Sequence, residues 1–473
     1  MSSRGKAKNQ LFEDVTIIDI AEEGKGVGKT GELVLFVEKA VPGDVADVLM
    51  YRSKKNFGEA RIERLKKPSE HRVDPFCEHF GVCGGCKWQH MTYAAQLQFK
   101  QKSVADALSR LAKIDVSGMI PILASPADRY YRNKLEFTFS NKRWLYDGES
   151  REDETLDMDA LGFHIPGRFD KILDVHHCYL QADPSNDIRN RLDVFAKDQG
   201  ITYYNLRDHE GAMRNLIIRT SSTGELMVIV VFAYPSEEEV NKVMGFLEAE
   251  FPEITSLLYI LNQKKNDTIF DQEVLTWKGA DYILEEMNGI KFRIGPKSFY
   301  QTNSIQALHL YEIARDFAGF KGDELVYDLY TGAGTIANFV AGSVREVVGV
   351  EYVPDAIEDA KINSQINNIS NTKFYAGDMK DVLSAEFVKE HGKPDVIITD
   401  PPRAGMHPDV VARLMEIEAA KIVYVSCNAA TQARDLLTLK EKYDTVKIQP
   451  VDMFPHTQHV ENVVLLKLKE AIA

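Results

Sequence analysis

The 473-residue sequence predicts an α/β multidomain chain with a small N-terminal OB-like β-barrel, a central α/β domain carrying a cysteine knot, and a C-terminal doubly wound, Rossmann-like domain. Three observations lead there. Residues 10–67 break into short apolar or alternating runs separated by glycine-rich stretches, the pattern of a small all-β domain. Residues 74–90, DPFCEHFGVCGGCKWQH, hold three of the five cysteines. From about Leu325 onward, strand-like and helix-like segments alternate, as in a parallel sheet with helical crossovers. The expected domains are 10–67, 68–290 and 291–473.

The elements follow in order. LFEDVTIIDI alternates as a strand, GKGVGKTGE reads as a glycine-rich turn, LVLFVEKAV is a second apolar strand, and residues 44–65 supply two more. Strands spaced by glycine turns suggest a small five-stranded barrel. After the cysteine knot, Tyr93, Leu97, Val104, Leu108 and Leu111 recur at helical spacing and predict one amphipathic helix. Residues 129–290 read as mixed α/β, with LMVIVVFAY and ITSLLYILNQ as the clearest strands. The C-terminal rhythm runs ELVYDLY, TIANFVAGS, REVVGVEY, PDAIEDAKINSQINN, PDVIITD, HPDVVARLMEI, KIVYVSC and TQARDLLTLKE. Ligands of such sheets bind beyond the carboxyl ends of the strands.

Composition narrows the function classes. No run approaches the ~20 apolar residues of a membrane span, and the polar, basic N-terminus lacks the apolar core of a secretory signal. A cytoplasmic protein without a membrane partner is expected. The formal charge is −14, yet residues 1–67 hold 13 basic and 11 acidic side chains. Between Tyr51 and Arg72, eight basic residues stand against three acidic ones. A basic stripe on an acidic protein suits a local contact with polyanion, although a solvated charged face has the same composition. An odd cysteine count without an export signal points to ligand or nucleophile roles rather than disulfides.

In the C-terminal region, Asp328-Leu-Tyr330-Thr-Gly332-Ala-Gly334-Thr335 follows a strand and opens a helix. Its glycines allow close backbone approach, and the helix start offers free amides. Glu351 ends the next strand, where an acid can bind ribose hydroxyls. Asp378 follows a third strand, where it can meet an adenine amino group. Together they favour an adenosine-containing cofactor, while either acid could also cap a helix. Asp400-Pro-Pro-Arg403 follows a fourth strand. A related acid-Pro-Pro-aromatic motif serves amino-group methylation, a reading weakened here by Arg403. Cys427 ends a fifth strand just before a helix whose dipole favours thiolate, though a buried Cys is also an ordinary small core residue. Glu461 precedes the apolar run NVVLLKLK, which would raise its pKa. Cys77, Cys83 and Cys86 are spaced C-x5-C-x2-C, with Cys178 remote. Four thiolates suit zinc or a [4Fe–4S] cluster, and three clustered plus one remote favours the cluster.

With these residues the chain resembles the bacterial 23S rRNA uracil-5-methyltransferases over essentially its whole length. The resemblance implies an N-terminal TRAM RNA-binding barrel and a class I S-adenosylmethionine-dependent methyltransferase domain. It implies a [4Fe–4S] cluster on Cys77, Cys83, Cys86 and Cys178. It makes Cys427 of the S-C-N motif the nucleophile, Glu461 of H-V-E the base, and Asp400 of D-P-P-R a catalytic residue at the boundary between cofactor and target. Gln301 of Phe299-Tyr-Gln301-Thr-Asn303, with Tyr330, Thr335, Glu351, Asp378 and Asp400, would line the cofactor pocket. Tyr330-Thr331 and Thr335 depart from the family's usual Phe-Cys and Asn. Arg129, Arg132 and Lys134 lie in a segment resembling one that grips RNA.

The implied chemistry needs these groups. C5 of uracil is a poor nucleophile, so a thiolate first adds at C6, and a base later takes the C5 proton. Large-subunit rRNA is the expected partner and a monomer the expected state. The competing readings are a tRNA enzyme of the same mechanism, an inactive RNA-binding iron–sulfur module, and an amino-group methyltransferase.

Overall fold

The computed structural model describes residues 9–21, 23–146, 148–150, 152–153 and 155–470. The chain forms two compact units, Met1–Ser103 with Phe454–His459, and Val104–Met453 with Val460–Ala473.

In the first unit, β1 (Gln10–Ile20), β2 (Gly26–Thr30), β3 (Leu33–Glu38), β4 (Val45–Ser53) and β5 (Phe57–Lys67) close into a barrel ordered β1-β2-β3-β5-β4. Its core is Val15, Ile17, Leu35, Val37, Ala46, Val48, Met50 and Ala60. Part of the segment expected to be a glycine turn is strand β2. A Cβ on Gly28 would come within 2.6 Å of Val15, and one on Gly58 within 2.3 Å of Met50. A barrel this narrow has no room there for a side chain.

The cysteine segment is a run of turns, with Phe80 N–H donating to Cys77 O (3.0 Å) and Cys83 N–H to His79 O (2.9 Å). Helix α1 (Tyr93–Ala107) follows. Buried Gln96 donates to the carbonyls of Trp88 and Met91 and accepts the His456 amide.

In the second unit a π-helical turn, Leu108–Ala112, follows α1. Its wider turn rotates the pattern, so Ala112 is buried while Leu111, expected on the apolar face, is 51% exposed. The central sheet comprises β6 (Lys134–Ser140), β7 (Ala160–Ile165), β8 (Arg168–Asp174), β9 (Met213–Thr220), β10 (Leu226–Phe232), β11 (Ser256–Leu261) and β12 (Leu275–Gly279). It is ordered β12-β11-β10-β9-β6-β7-β8, with α2 (Ser185–Asp198) and α3 (Glu237–Glu250) between its strands in sequence. The hairpin β13 (Ile283–Met287) and β14 (Ile290–Ile294) leads to α4 (Ser304–Ala318).

The doubly wound sheet follows. Its strands are β15 (Leu325–Leu329), β16 (Glu346–Glu351), β17 (Thr372–Ala376), β18 (Val396–Thr399), β19 (Lys421–Ser426), β20 (Tyr443–Val451) and β21 (Glu461–Leu468). The order is β17-β16-β15-β18-β19-β21-β20. All pairs from β17 to β19 are parallel, and β21 runs antiparallel to both its neighbours. Helices α5 (Thr335–Ala341), α6 (Pro354–Ile366), α7 (Met379–Val382), α8 (Ala385–His391), α9 (Pro408–Ile417) and α10 (Ala429–Leu439) complete it. Among the described residues no helix is long and apolar enough to cross a membrane.

Candidate active site

The winding of this sheet reverses between β15 and β18, because β15 leads to β16 on one side and β18 to β19 on the other. Ligands of doubly wound sheets bind outside the carboxyl ends at such a point. Tyr330 follows β15, Glu351 ends β16, Asp378 lies two residues past β17, Asp400 follows β18 and Cys427 follows β19. β21 is antiparallel, so its first residue, Glu461, reaches the same edge. Its register pairs Asn462 with Ser426. Glu461 and Cys427 are therefore the next facing positions on neighbouring strands, although 34 residues of sequence separate them.

The turn after β15 is shaped for a ligand. Tyr330 (φ 63°), Gly332 (φ 55°) and Gly334 (φ 73°) all sit in the left-handed region. Nothing lies within 4 Å of where a Cβ on Gly332 would be, whereas one on Gly334 would meet Ala360 and Asn338 at 2.9 Å. Gly332 therefore faces open space, and Gly334 is required by packing. Glu351 stays in place by accepting the amides of Gly332 (3.1 Å) and Val353 (3.0 Å). Asp378 caps α7, accepting from Lys380 N–H at 3.2 Å, and the Lys380 amide and ammonium hold its carboxyl below the usual range. Thr335 opens α5 and is partly exposed. An open glycine turn flanked by carboxylates at successive strand ends fits a nucleoside-bearing cofactor.

The reactive end is electrostatically crowded. Glu461 is only 5% exposed, and burial first, then the carboxyl of Asp400, raises its pKa. Burial, reinforced by Asp328, raises Asp400 in turn. Two acids confined together favour holding protons over full ionisation. Burial pushes the Cys427 thiol up to about 11, with Glu461 and Asp400 adding to the shift and Arg403 opposing it. Burial and the two acids thus oppose the thiolate that the helix start favours. A helix dipole contributes ~0.3–1 kcal/mol, and here burial and two acids outweigh it. The raised Glu461 pKa expected from the apolar run is present.

A polar lattice, buried at Gln432, Asp435 and Asn462, holds these groups, and the sequence pattern does not reveal it. Asn428 caps α10, accepting from Ala430 (3.0 Å) and Thr431 (3.3 Å), and donates to Arg403 O at 3.2 Å. Gln432 donates to the carbonyls of Tyr424 (3.0 Å) and Asn462 (3.3 Å) and accepts from the Asn462 amide (2.7 Å). Asp435 accepts from Met406 N–H (2.9 Å) and Tyr424 O–H (2.7 Å). Arg434 donates to the carbonyls of Ala404 (3.1 Å) and Met406 (2.9 Å). One helix therefore fixes the Cys427 strand, the Glu461 strand and the Asp400–Met406 loop. In sequence these residues read as ordinary polar helix positions.

The other expected residues are placed as follows. Gln301 lies on the loop before α4, where its carbonyl accepts from Asn133 at 2.9 Å. Arg129 and Arg132 precede β6. Lys134 begins β6, where burial, then Arg219, lowers its pKa. Cys77, Cys83 and Cys86 lie in the first unit, partly exposed, and Cys178 is buried in the second. The amide of Gly85 donates to Cys83 Sγ at 3.4 Å. Among the described residues, no group of three or more His, Cys, Asp or Glu side chains is gathered as a metal-ion site. The iron–sulfur part of the expected fold thus has no support from this side-chain arrangement.

Comparison with known proteins agrees with this architecture. A family profile described as tRNA (Uracil-5-)-methyltransferase matches residues 220–469, and a TRAM domain profile matches residues 12–62. An uncharacterized RNA methyltransferase of Bacteroides thetaiotaomicron is 58% identical, covering 95% of this chain and all of that protein. Another, from Chlorobaculum tepidum, is 38% identical over 98% of this chain and 97% of its own length. The crystal structure of Pyrococcus abyssi tRNA (uracil-54, C5)-methyltransferase in complex with S-adenosyl-L-homocysteine superposes with a TM-score of 0.74. It is 27% identical, covering 97% of this chain and 100% of that one. With a TRAM profile over its N-terminal barrel, a methyltransferase profile over more than half its length and a full-length relative 58% identical, the chain belongs to the tRNA (uracil-5-)-methyltransferase family of RNA methyltransferases.

Proposed function

We propose that this protein methylates C5 of a uracil in large-subunit rRNA through a covalent Cys427 adduct. The observation that carries the reading is the facing of Cys427 and Glu461 at adjacent strand ends, beside Asp400 at the switch point. Tyr330, Thr335, Glu351, Asp378, Asp400 and Gln301 are the residues that would hold S-adenosylmethionine, which when bound supplies an electrophilic methyl group. Cys427, as thiolate, forms a bond to C6 and makes C5 nucleophilic. Once C5 is methylated, Glu461 as carboxylate takes the C5 proton, the electron pair re-forms the C5–C6 double bond, and the thiolate leaves. Asp400 keeps Glu461 basic enough to accept that proton. Arg129, Arg132 and Lys134 would contact the RNA.

The cluster is a second part of this proposal. Cys77, Cys83 and Cys86, with Cys178 assigned by resemblance, would hold [4Fe–4S]. Their spacing and the amide donated to Cys83 Sγ support it, since hydrogen bonds to sulfur are a feature of such centres. Protein purified without oxygen should contain iron and acid-labile sulfide, both lost on Cys83→Ser. Iron-free protein of full activity would overturn this part.

A tRNA target is the second reading, favoured by the tRNA description of the matching profile and of the Pyrococcus enzyme. Incorporation of labelled methyl from S-adenosylmethionine into unmodified rRNA and tRNA, mapped by nuclease digestion and mass spectrometry, separates the two. One methylated rRNA uracil, lost in Cys427→Ala, is the expected result. Label in tRNA alone would replace the rRNA reading, and label in neither would refute both.

A further inference from the structure

Outside the catalytic edge, the second unit carries an aromatic cluster in which Tyr130 is exposed and His177 and Tyr179 are partly exposed. Tyr130, His177 and Tyr179 touch one another. The centroids of Tyr130 and His177 lie 6.3 Å apart at 90°, those of Tyr130 and Tyr179 6.0 Å apart, and those of His177 and Tyr179 4.3 Å apart. The Tyr130 hydroxyl and His177 Nε2 share a 3.1 Å hydrogen bond, and the Arg129 guanidinium lies 6.0 Å from the Tyr179 ring centre. Tyr130 is nonetheless 43% exposed.

The backbone is arranged to keep it so. Tyr130 adopts φ 55°, a left-handed conformation that is unusual for a bulky residue. It is held there by its own N–H donating to Tyr179 O (2.7 Å) and by Arg132 N–H donating to Leu180 O (2.8 Å). Strain of this kind concentrates at ligand-contacting positions. The segment is also tied to the loop before α4. Asn133 N–H donates to Thr302 O (2.8 Å), and the Asn133 side chain donates to Gln301 O (2.9 Å) and Ser304 Oγ (2.8 Å).

We propose that Tyr130, His177 and Tyr179, flanked by Arg129, form a platform on which an unpaired base of the RNA substrate stacks while the target nucleotide enters the catalytic edge. The proposal deepens the reading of this unit as the one that takes RNA. Aromatic faces beside guanidinium groups are how proteins hold single-stranded bases, with little sequence preference. The hydrogen bonds from Asn133 would keep that base in register with the loop bearing Gln301.

The test is titration of a fluorescently labelled single-stranded oligoribonucleotide against the full-length wild type, Tyr130→Ala, Tyr130→Phe and Arg129→Ala. S-adenosylhomocysteine binding serves as the check on folding. Tyr130→Ala should raise the dissociation constant about 5- to 100-fold, as loss of a stacked base does, without changing its salt dependence. Tyr130→Phe should restore near-normal binding. Arg129→Ala should lower the slope of log affinity against log salt by ~0.7. Unchanged affinity in Tyr130→Ala would overturn the platform. So would equal weakening by Tyr130→Phe, which would mark a structural role for the hydroxyl bond to His177, or lack of wild-type binding with cofactor binding intact. Because this readout is binding alone, failure of rRNA methylation leaves it standing, and failure of the platform leaves the methylation assay unaffected.

Discussion

A carboxyl group that is 5% exposed and faces a second acid is costly to ionise, and Glu461 is in that position. Burial and the carboxyl of Asp400 hold its folded pKa well above its ordinary 4.5. The native state therefore binds more protons than the unfolded state once pH exceeds the ordinary value, and stability falls as pH rises from there through the raised one. Glu461→Gln cannot ionise and escapes the loss. We expect it to be more stable than wild type, with the gap widening by on the order of 1 kcal/mol per pH unit as pH rises from about 5 toward neutrality. Chemical denaturation across that range measures it, and a pH-independent gap would contradict the burial argument. The same groups govern rate. With the Cys427 thiol pushed up to about 11, thiolate is scarce near neutral pH. The single-turnover rate should climb with pH by up to about tenfold per unit. A profile flat from pH 7 to 9 would mean that bound substrates have lowered the thiol pKa substantially.

At the scale of elements, α10 organises the site. The Gln432–Asn462 amide pair is wholly buried and joins the helix to the Glu461 strand. Asn462→Leu removes the donor to the buried Gln432 side-chain oxygen, a loss of about 1–3 kcal/mol. It should also slow release of methylated RNA from the enzyme, seen as a denaturant-resistant protein–RNA adduct on gels. Lost stability with no such adduct would limit the pair to a structural role. Little of this lattice was legible in the sequence, because polar residues within a helix look alike whether they face water or a strand. The strand–helix rhythm made the doubly wound sheet legible, and Tyr330, Glu351, Asp400, Cys427 and Glu461 were found at strand ends. The facing of Cys427 and Glu461 was not visible, because it depends on the antiparallel register of β21. Likewise β6 pairs with β9 across more than 70 residues, a contact that no local pattern encodes. Leu111 was misplaced because one π-helical turn resets the phase of the apolar stripe.

Across the whole molecule, a net charge of −14 coexists with an RNA substrate because charge is apportioned by domain. Residues 1–67 are net positive by two, and the remainder is negative by sixteen. Within the barrel several cations are already committed. Lys66 bridges Asp14 and Asp47 at 2.8 Å, Arg52 pairs with Glu59 at 3.4 Å and Arg61 with Glu63 at 3.8 Å. Lys55, Arg64 and Lys67 are exposed on the same unit and are the better candidates for phosphate contacts. Each cation that releases a counterion from a single strand contributes ~0.7 to the salt slope. The triple variant Lys55→Ala, Arg64→Ala and Lys67→Ala should therefore lower that slope by about 2. Every proposed catalytic group lies in the second unit, so turnover at saturating RNA should be unchanged while KM rises. A fall in saturated turnover with the slope intact would show that the barrel acts on catalysis rather than on capture of RNA. An unchanged slope with unchanged KM would move the phosphate contacts off these three side chains.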